Sequence, residues 1–424
     1  MGTFAWFPRL NPQVWILVIG RLLSQIGSGV VLFYEPIYFV NQVGLSPAKV
    51  GIGLSSAAMA SAGGYFLAGS MTDSPFWGRR RTLLLSCVIS IVADGVFLLA
   101  HGFPLLILAN VLMGLGDSLY WPASGAAITD NSSSHQREEA FAVSGLADSL
   151  GSGLGIVLGG LLLTMNNSYQ QLFIMDGVTF AIFLGVLAVA FQDRRHQSHS
   201  SEETQGIKAW SKALLNPVFL VFAAANVLFT TYINLMESTL PLYFTNFVHN
   251  ATASRMAPEN VGILFSGYVL IAALLQLPIV RVMQAYRRVS VLMISMLLWG
   301  IGFLFVWLVG MSAGTQGVMM VMVVVVLAIA NVTYNPFSVA LVTELAPPSS
   351  LGVYLSLNAQ CWTVGYLVGP LIGGWALAQN AEIARGLWAT AAFSALIGVF
   401  ILKQLEKYQV TDGNCQRDRQ DYQA

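Results

Sequence analysis

Six ionisable side chains interrupt otherwise apolar stretches of the chain: Arg21, Glu35, Asp94, Asp117, Asp148 and Glu237. Five acids and one base in apolar surroundings suit proton exchange or the holding of a cation. The groupings that make and break covalent bonds are missing. His101, His135, His196, His199 and His249 lie at the ends of apolar stretches or between them, and form no HxxxH or HxxE pattern. Cys87, Cys361 and Cys415 are far apart and belong to no CxxC, so neither a disulfide framework nor a metal site is expected. There is no GxxxxGK[ST] loop for a nucleotide-driven pump. The expectation is a protein that is not an enzyme and carries no cofactor.

Composition sets the solvent around those charges. Of 424 residues, 56% are hydrophobic and 9% charged, against about 25% charged in a typical soluble domain. A chain this apolar cannot cover its surface with polar groups, so lipid is the expected surrounding. Each ionisable group placed in lipid costs about 2.5–3.5 kcal/mol on insertion scales and needs a compensating role. The formal net charge is zero, which points to no nucleic-acid partner.

A bilayer core takes about 20 apolar residues per helix. Stretches that meet this are 13–40, 47–72, 82–100, 104–128, 139–164, 170–191, 217–246, 259–280, 289–311, 316–342, 351–378 and 386–402, which makes an all-α, polytopic protein of twelve spans. The first is far longer than a signal-peptide core of roughly 7–15 residues and reads as a permanent span. With the N-terminus inside, sixteen of the twenty Lys and Arg fall in inner segments, three (Lys49, Arg255, Arg385) in outer ones, and Arg21 within a span. Both termini are therefore expected in the cytoplasm, with the protein in the cell membrane. The expected division is an N-terminal six-helix bundle over 1–191, a cytoplasmic linker over 192–214, a C-terminal bundle over 215–402 and a polar, mobile tail over 403–424.

The halves repeat each other. Pro36-Ile37-Tyr38-Phe39-Val40-Asn41 matches Pro241-Leu242-Tyr243-Phe244-Thr245-Asn246, and Pro47 with Val50-Gly51-Ile52 matches Pro258 with Val261-Gly262-Ile263. Tyr120, Pro122 and Ser124 match Tyr334, Pro336 and Ser338, while Gly155, Gly159 and Gly160 match Gly369, Gly373 and Gly374. These matches are collinear, with offsets of 205, 211, 214 and 214. Six spans per repeat give both copies the same orientation, related by an axis along the membrane normal. Parallel repeats of this kind build carriers, with the binding site between them near mid-depth and rocking of one half against the other.

Three stretches carry a family likeness. Gly69 to Asp73 followed by Gly78-Arg79-Arg80-Arg81, Asn110 to Gly116, and Gly151-Ser152-Gly153-Leu154-Gly155-Ile156-Val157-Leu158-Gly159-Gly160 together resemble the major facilitator superfamily, in its drug–proton antiporter branch. The second half holds a fuller glycine run, Gly365-Tyr366-Leu367-Val368-Gly369-Pro370-Leu371-Ile372-Gly373-Gly374. The first stretch carries two residues more than the family loop between Asp and Gly, Asn110 stands where many members place Arg, and Ile156 replaces a Pro. The likeness implies a carrier that works as a monomer on a small molecule, with protons as the coupled ion. By physics alone, glycines four apart let helices approach closely in lipid, so both runs read first as packing seams and second as the hinge between halves. Arg79 to Arg81 read as positive-inside anchors, or as a latch in which Asp73 pairs with one of them.

The likeness lines the central cavity with helices 1, 4, 7 and 10 and packs helix 5 against helix 1. It therefore implies a cluster of Arg21 with Asp148, to which Asp117 adds a second carboxylate. Two acids beside one base cannot both stay charged cheaply, so one would exchange a proton; the bland alternative is a static pair. Glu35 and Glu237 are expected to bind a cation or gate the outer side, or else to reach outer water and do little. Asp94 is expected to be structural. Tyr34, Tyr38, Tyr120, Trp121, Tyr232, Tyr334 and Trp362 are candidates to stack on an apolar or cationic substrate, against the commoner packing or interfacial roles. The leading expectation is proton-coupled efflux of amphipathic compounds, ahead of metabolite import and of a receptor or scaffold with the same fold.

Overall fold

Helix ends are set by local chemistry. Asn11, Ser46 and Asn216 cap their helices by accepting backbone N–H groups, and a proline follows each at the first helical position, Pro12, Pro47 and Pro217, where its missing N–H costs nothing. The computed structural model describes residues 10–74, 76–133, 136–166, 168–192, 214–248, 256–311, 316–347 and 351–421. Most of the expected linker lies outside these residues.

Twelve membrane-length helices follow in order among the described residues: α1 (Pro12–Asn41), α2 (Pro47–Asp73), α3 (Gly78–Leu99), α4 (Phe103–Asp130), α5 (Arg137–Asn166), α6 (Gln170–Ala190), α7 (Pro217–Phe247), α8 (Pro258–Met283), α9 (Arg288–Val309), α10 (Gln316–Leu345), α11 (Leu351–Leu377) and α12 (Ala381–Asp421). Eleven are apolar as well as long enough to span a bilayer; α11 is the more polar one, with Asn358, Gln360 and Tyr366. α12 runs on to Asp421; Leu402 and Leu405, both fully buried, prolong its apolar face past 402, and Arg287 reaches Glu406 at 3.5 Å.

Packing repeats as the sequence does. In the first half α1 packs on α5 and α6, α2 on α4, and α3 on α4 and α6; in the second, α7 packs on α11 and α12, α8 on α10, and α9 on α10 and α12. Every pairing has its counterpart six helices on. The halves meet along α2–α11 and α5–α8, contacts that exchange under the same rotation. Arg79 at the start of α3 pairs with Asp130 at the end of α4 (2.9 Å), and Arg288 at the start of α9 pairs with Glu344 at the end of α10 (3.0 Å).

Both termini lie on one face, called here the terminal face. Near the opposite face the apolar core runs unbroken from Val30, Phe33 and Phe39 into the second half. At the terminal face the core of the first half, with Val14, Leu17, Leu83 and Leu187, stays separate. The tight contacts between halves sit toward the opposite face: Ser55 Oγ donates to the Leu367 carbonyl (2.8 Å), and Gly51 abuts Pro370 and Gly374. The halves share one buried core there, while the first half keeps a core of its own toward the terminal face.

Candidate functional site

Four helices bring polar groups to mid-depth between the halves. Asp117 is at the middle of α4, and Glu237 lies two-thirds along α7, on a five-residue π-helical turn (Leu235–Thr239) that interrupts the α-helix. Such a turn shifts the side chains that follow it around the axis and recurs at functional sites. Both carboxylates are half-buried. Tyr366 Oη, on α11, donates to Glu237 Oε2 (3.4 Å) and is within electrostatic reach of Asp117 and of Tyr65 on α2. Tyr268, on α8, is within electrostatic reach of Glu237, and Asn331 Nδ2 on α10 donates to its hydroxyl (2.8 Å). Asn335, one turn along, donates to Asn331 (3.3 Å).

The hydroxyls of Tyr65, Tyr268 and Tyr366 lie within electrostatic reach of one or other acid, Asp94 and Asp176 lie within reach of Asp117, and among the described residues no Lys, Arg or His joins them. An acid from each half, with neutral donors around them, makes a pocket whose charge only a proton or a cation can balance. Glu237 and Asp117 were both expected candidates; Tyr65, Tyr268, Tyr366 and Asn331 were not. Tyr366 stands inside the α11 glycine run, where its polarity was the available signal.

Arg21 and Asp148 meet as expected. Nε of Arg21 donates to Asp148 Oδ1 (2.9 Å), Nη2 donates to Oδ2, Nη1 donates to Ser124 Oγ (3.3 Å), and the guanidinium lies over Trp121 (4.7 Å) and Tyr120 (6.0 Å). Asp117 stands outside this group and faces α2 and α11 instead. The second half carries an uncharged replica. Asn226 Oδ1 accepts from Tyr334 Oη (2.6 Å) and Ser338 Oγ (3.2 Å), and Asn226 Nδ2 donates to Asn358 Oδ1 (2.9 Å). Tyr334 and Ser338 are the repeat partners of Tyr120 and Ser124, Asn226 is that of Arg21, and Asn358 lies one turn from the position equivalent to Asp148. The same helix junction is therefore held by an ion pair in one half and by amides in the other.

Glu35 does not reach outer water. It is 2% exposed and accepts from Asn110 Nδ2 (2.6 Å), which ties α1 to α4 beneath the closed face. Asp94 is buried against Asp176 of α6, an acid the sequence reading passed over.

Most of the aromatic candidates pack rather than line the cavity, which corrects the expectation for them. Tyr34 donates to the Ile156 carbonyl (3.0 Å), Tyr38 packs on Tyr169 and Phe173, and Tyr120 packs on Phe183. Tyr232 bonds Ser394 (2.5 Å), and Tyr334 stacks on Phe229. Each of the five is under 9% exposed. Trp121 (38% exposed) and half-buried Trp362 remain open.

The glycine runs divide by partner. Gly151 and Gly155 lie on the α1 backbone at Leu22 and Ile26, and Gly159 and Gly160 lie on Tyr34. Gly365, Gly369 and Gly373 seat α11 on Thr230, Asn234 and Thr239 of α7, within the second half. Pro370 and Gly374 face the other way, onto Gly51 and Pro47 across the halves; a side-chain carbon at Gly374 would sit 2.5 Å from the Pro47 carbonyl. In the loop before α3, Gly78 has φ +65°, a conformation that glycine favours, while Gly69 has open space. Arg79 pairs with Asp130 and with the Thr72 carbonyl (2.7 Å), and Arg80 donates to the Leu187 and Ala188 carbonyls of α6. The side chain of Asp73, the expected latch partner, lies outside the described residues.

The sequence profile of the Major Facilitator Superfamily matches residues 17–257 and 247–414. A Na(+), Li(+), K(+)/H(+) antiporter of Planococcus maritimus is 24% identical over 398 residues, 85% of this chain and 88% of that one. Quinolone resistance protein NorA of Staphylococcus aureus (strain MSSA476) is 21% identical over 395 residues, 93% of this chain and 97% of its own. The crystal structure of nucleoside transporter NupG shares the fold with a TM-score of 0.76 at 14% identity, covering 94% of this chain and all of that one. With twelve paired helices, a polar pocket between two repeats and a profile match along nearly its whole length, the chain belongs to the major facilitator superfamily of membrane transporters.

Proposed function

We propose that the chain is a proton-coupled carrier that expels small amphipathic cations from the cell by alternating access. The observation that supports this is that Asp117 and Glu237, one from each half, both lie within electrostatic reach of Tyr366 between the halves, with no basic group beside them among the described residues. A carboxyl held away from water without a basic partner keeps its proton, so the empty site favours protons and a bound cation displaces them. Cation and proton then compete for the same charge, which is the condition for exchange of one against the other.

The Lys and Arg distribution supports a cytoplasmic terminal face. In that orientation the side where the halves do not share a core faces inward, and there a cytoplasmic cation enters and protons leave. Closure of the terminal face would turn the loaded pocket outward. The antiporter and the quinolone resistance protein, by their names, support exchange and export.

Transport of ethidium by the purified protein in liposomes under an imposed pH gradient tests this reading. Glu237→Gln and Asp117→Asn are each expected to lower proton-driven transport about tenfold or more, the loss of a contact worth about 1.5–3 kcal/mol. Full proton-driven transport by both variants would overturn the assignment.

A further inference from the structure

Asp94 and Asp176 have no part in the transport reading, although Asp117 lies within electrostatic reach of both. Asp94 is on α3 and Asp176 on α6, 2% and 0% exposed; Asp94 packs against Gly177, the residue that follows Asp176, and the two acids interact electrostatically. Among the described residues no donor reaches any of the four carboxyl oxygens. The charged groups that face the pair are themselves acidic: Asp117 of α4 and Glu35 of α1 within electrostatic reach of Asp94, and Asp117 within reach of Asp176. No Lys, Arg or His from α1, α2, α4 or α6 is among them. Gly27 of α1 abuts Asp176, and Gly177 leaves room for Asp94, so backbone closes the pair in on both sides.

The fold itself does not require acids here. The corresponding junction in the second half, α9 with α12, is filled by Phe303 and Trp388, both fully buried with ring centroids 5.7 Å apart. Phe303 follows Arg288 by the same fifteen residues that separate Asp94 from Arg79. An apolar packing that serves one repeat has been replaced in the other by two costly groups, so these have a ligand to hold.

We propose that Asp94 and Asp176 form a proton-binding site apart from the transport pocket, holding a single proton between their carboxyl groups. Two neighbouring carboxylates without a cation cannot both carry charge in a dry interior, and one shared proton converts the repulsion into a strong hydrogen bond. A divalent metal is disfavoured, since no group of three or more potential ligand side chains forms among the described residues. A monovalent cation would need several more oxygens than the pair offers. Rising pH removes the proton, leaves two facing charges and loosens α3 from α6.

Infrared spectroscopy of the purified protein is the test, with thermal unfolding across the alkaline range alongside it. In an Asp117→Asn, Glu237→Gln background, which removes the transport acids, the protein that keeps both Asp94 and Asp176, the wild type for this comparison, is expected to show a protonated-carboxyl band that both Asp176→Asn and Asp94→Asn lose, since an amide N–H donating to the remaining carboxylate replaces the proton. Both variants should unfold at a temperature nearly independent of pH where the wild type weakens as pH rises. Three results would overturn the proposal: no protonated-carboxyl band in the wild type, a band unchanged in both variants, or stabilisation of the wild type by sodium over choline chloride that the variants lack. The first can be read even if neither variant folds.

Discussion

At the level of single residues, the uncharged replica separates two roles that a buried Arg–Asp pair can play. Arg21 and Asp148 occupy the junction that Asn226 and Asn358 hold in the other half, so their contribution is to fix α1 on α5 and α4. Removing one member strands a charge that has left water. Asp148→Asn is expected to lower stability by about 3 kcal/mol, read as a drop in unfolding temperature. Arg21→Asn with Asp148→Asn, copying the second half, should recover most of it and keep proton-driven transport; a double variant no more stable than the single would contradict this. The pair was expected because the family likeness packs helix 5 against helix 1. Such a likeness does not say which way each side chain turns about its helix. For that reason Asp117 stands apart from Arg21, within reach of Tyr65 and Tyr366, and five aromatic candidates point into bundle interiors, where a large ring packs as readily as at a cavity wall. Asp176 was overlooked although an acid within an apolar run is signal enough.

Among the elements, α7 and α11 carry the asymmetry that makes a site. The π-helical turn at Leu235–Thr239 places Glu237 opposite Tyr366, and nothing in residue spacing announces a π turn, because its cause is tertiary. Helix existence and ends were legible, since Pro at the first position and Asn or Ser caps mark them locally. The extension of α12 was not, because it follows from burial of Leu402 and Leu405 beneath a polar-looking tail. The glycine runs were legible as seams but not as seams between which partners. That division predicts opposite outcomes. Gly155→Val crowds the α1 backbone inside one bundle and should cost about 1–3 kcal/mol of stability. Gly374→Val crowds Pro47 across the halves and should instead hold the outer side open. A Ser55→Cys probe would then react with a membrane-impermeant thiol reagent added outside, as it would not in the parent protein; equal labelling in both would refute a gating role for this contact. The native Cys87 and Cys361 are buried, and Cys415 is replaced by Ser in both proteins before labelling.

Across the whole molecule, the duplication explains both the scaffold and its departures from symmetry. The main helix pairings of one half recur in the other, and the ion pairs Arg79–Asp130 and Arg288–Glu344 recur with them. What does not recur is charge in the interior: Asp117 and Glu237, one from each half, both lie within reach of Tyr366, while Asn331 and Asn335 occupy α10 at the level of Asp117 and Trp121 on α4. The scaffold could be read from collinear matches of Pro, Tyr, Asn and Gly, and the pocket could not, because it is built from the positions at which the repeats differ. The central claim is that a cation and protons compete for that pocket. The most direct measurement follows the pH of a weakly buffered solution of the purified protein as tetraphenylphosphonium is added. Proton release in proportion to bound cation, absent from an Asp117→Asn, Glu237→Gln double variant, is the expected result; cation binding without proton release, at an affinity that does not change with pH, would contradict it.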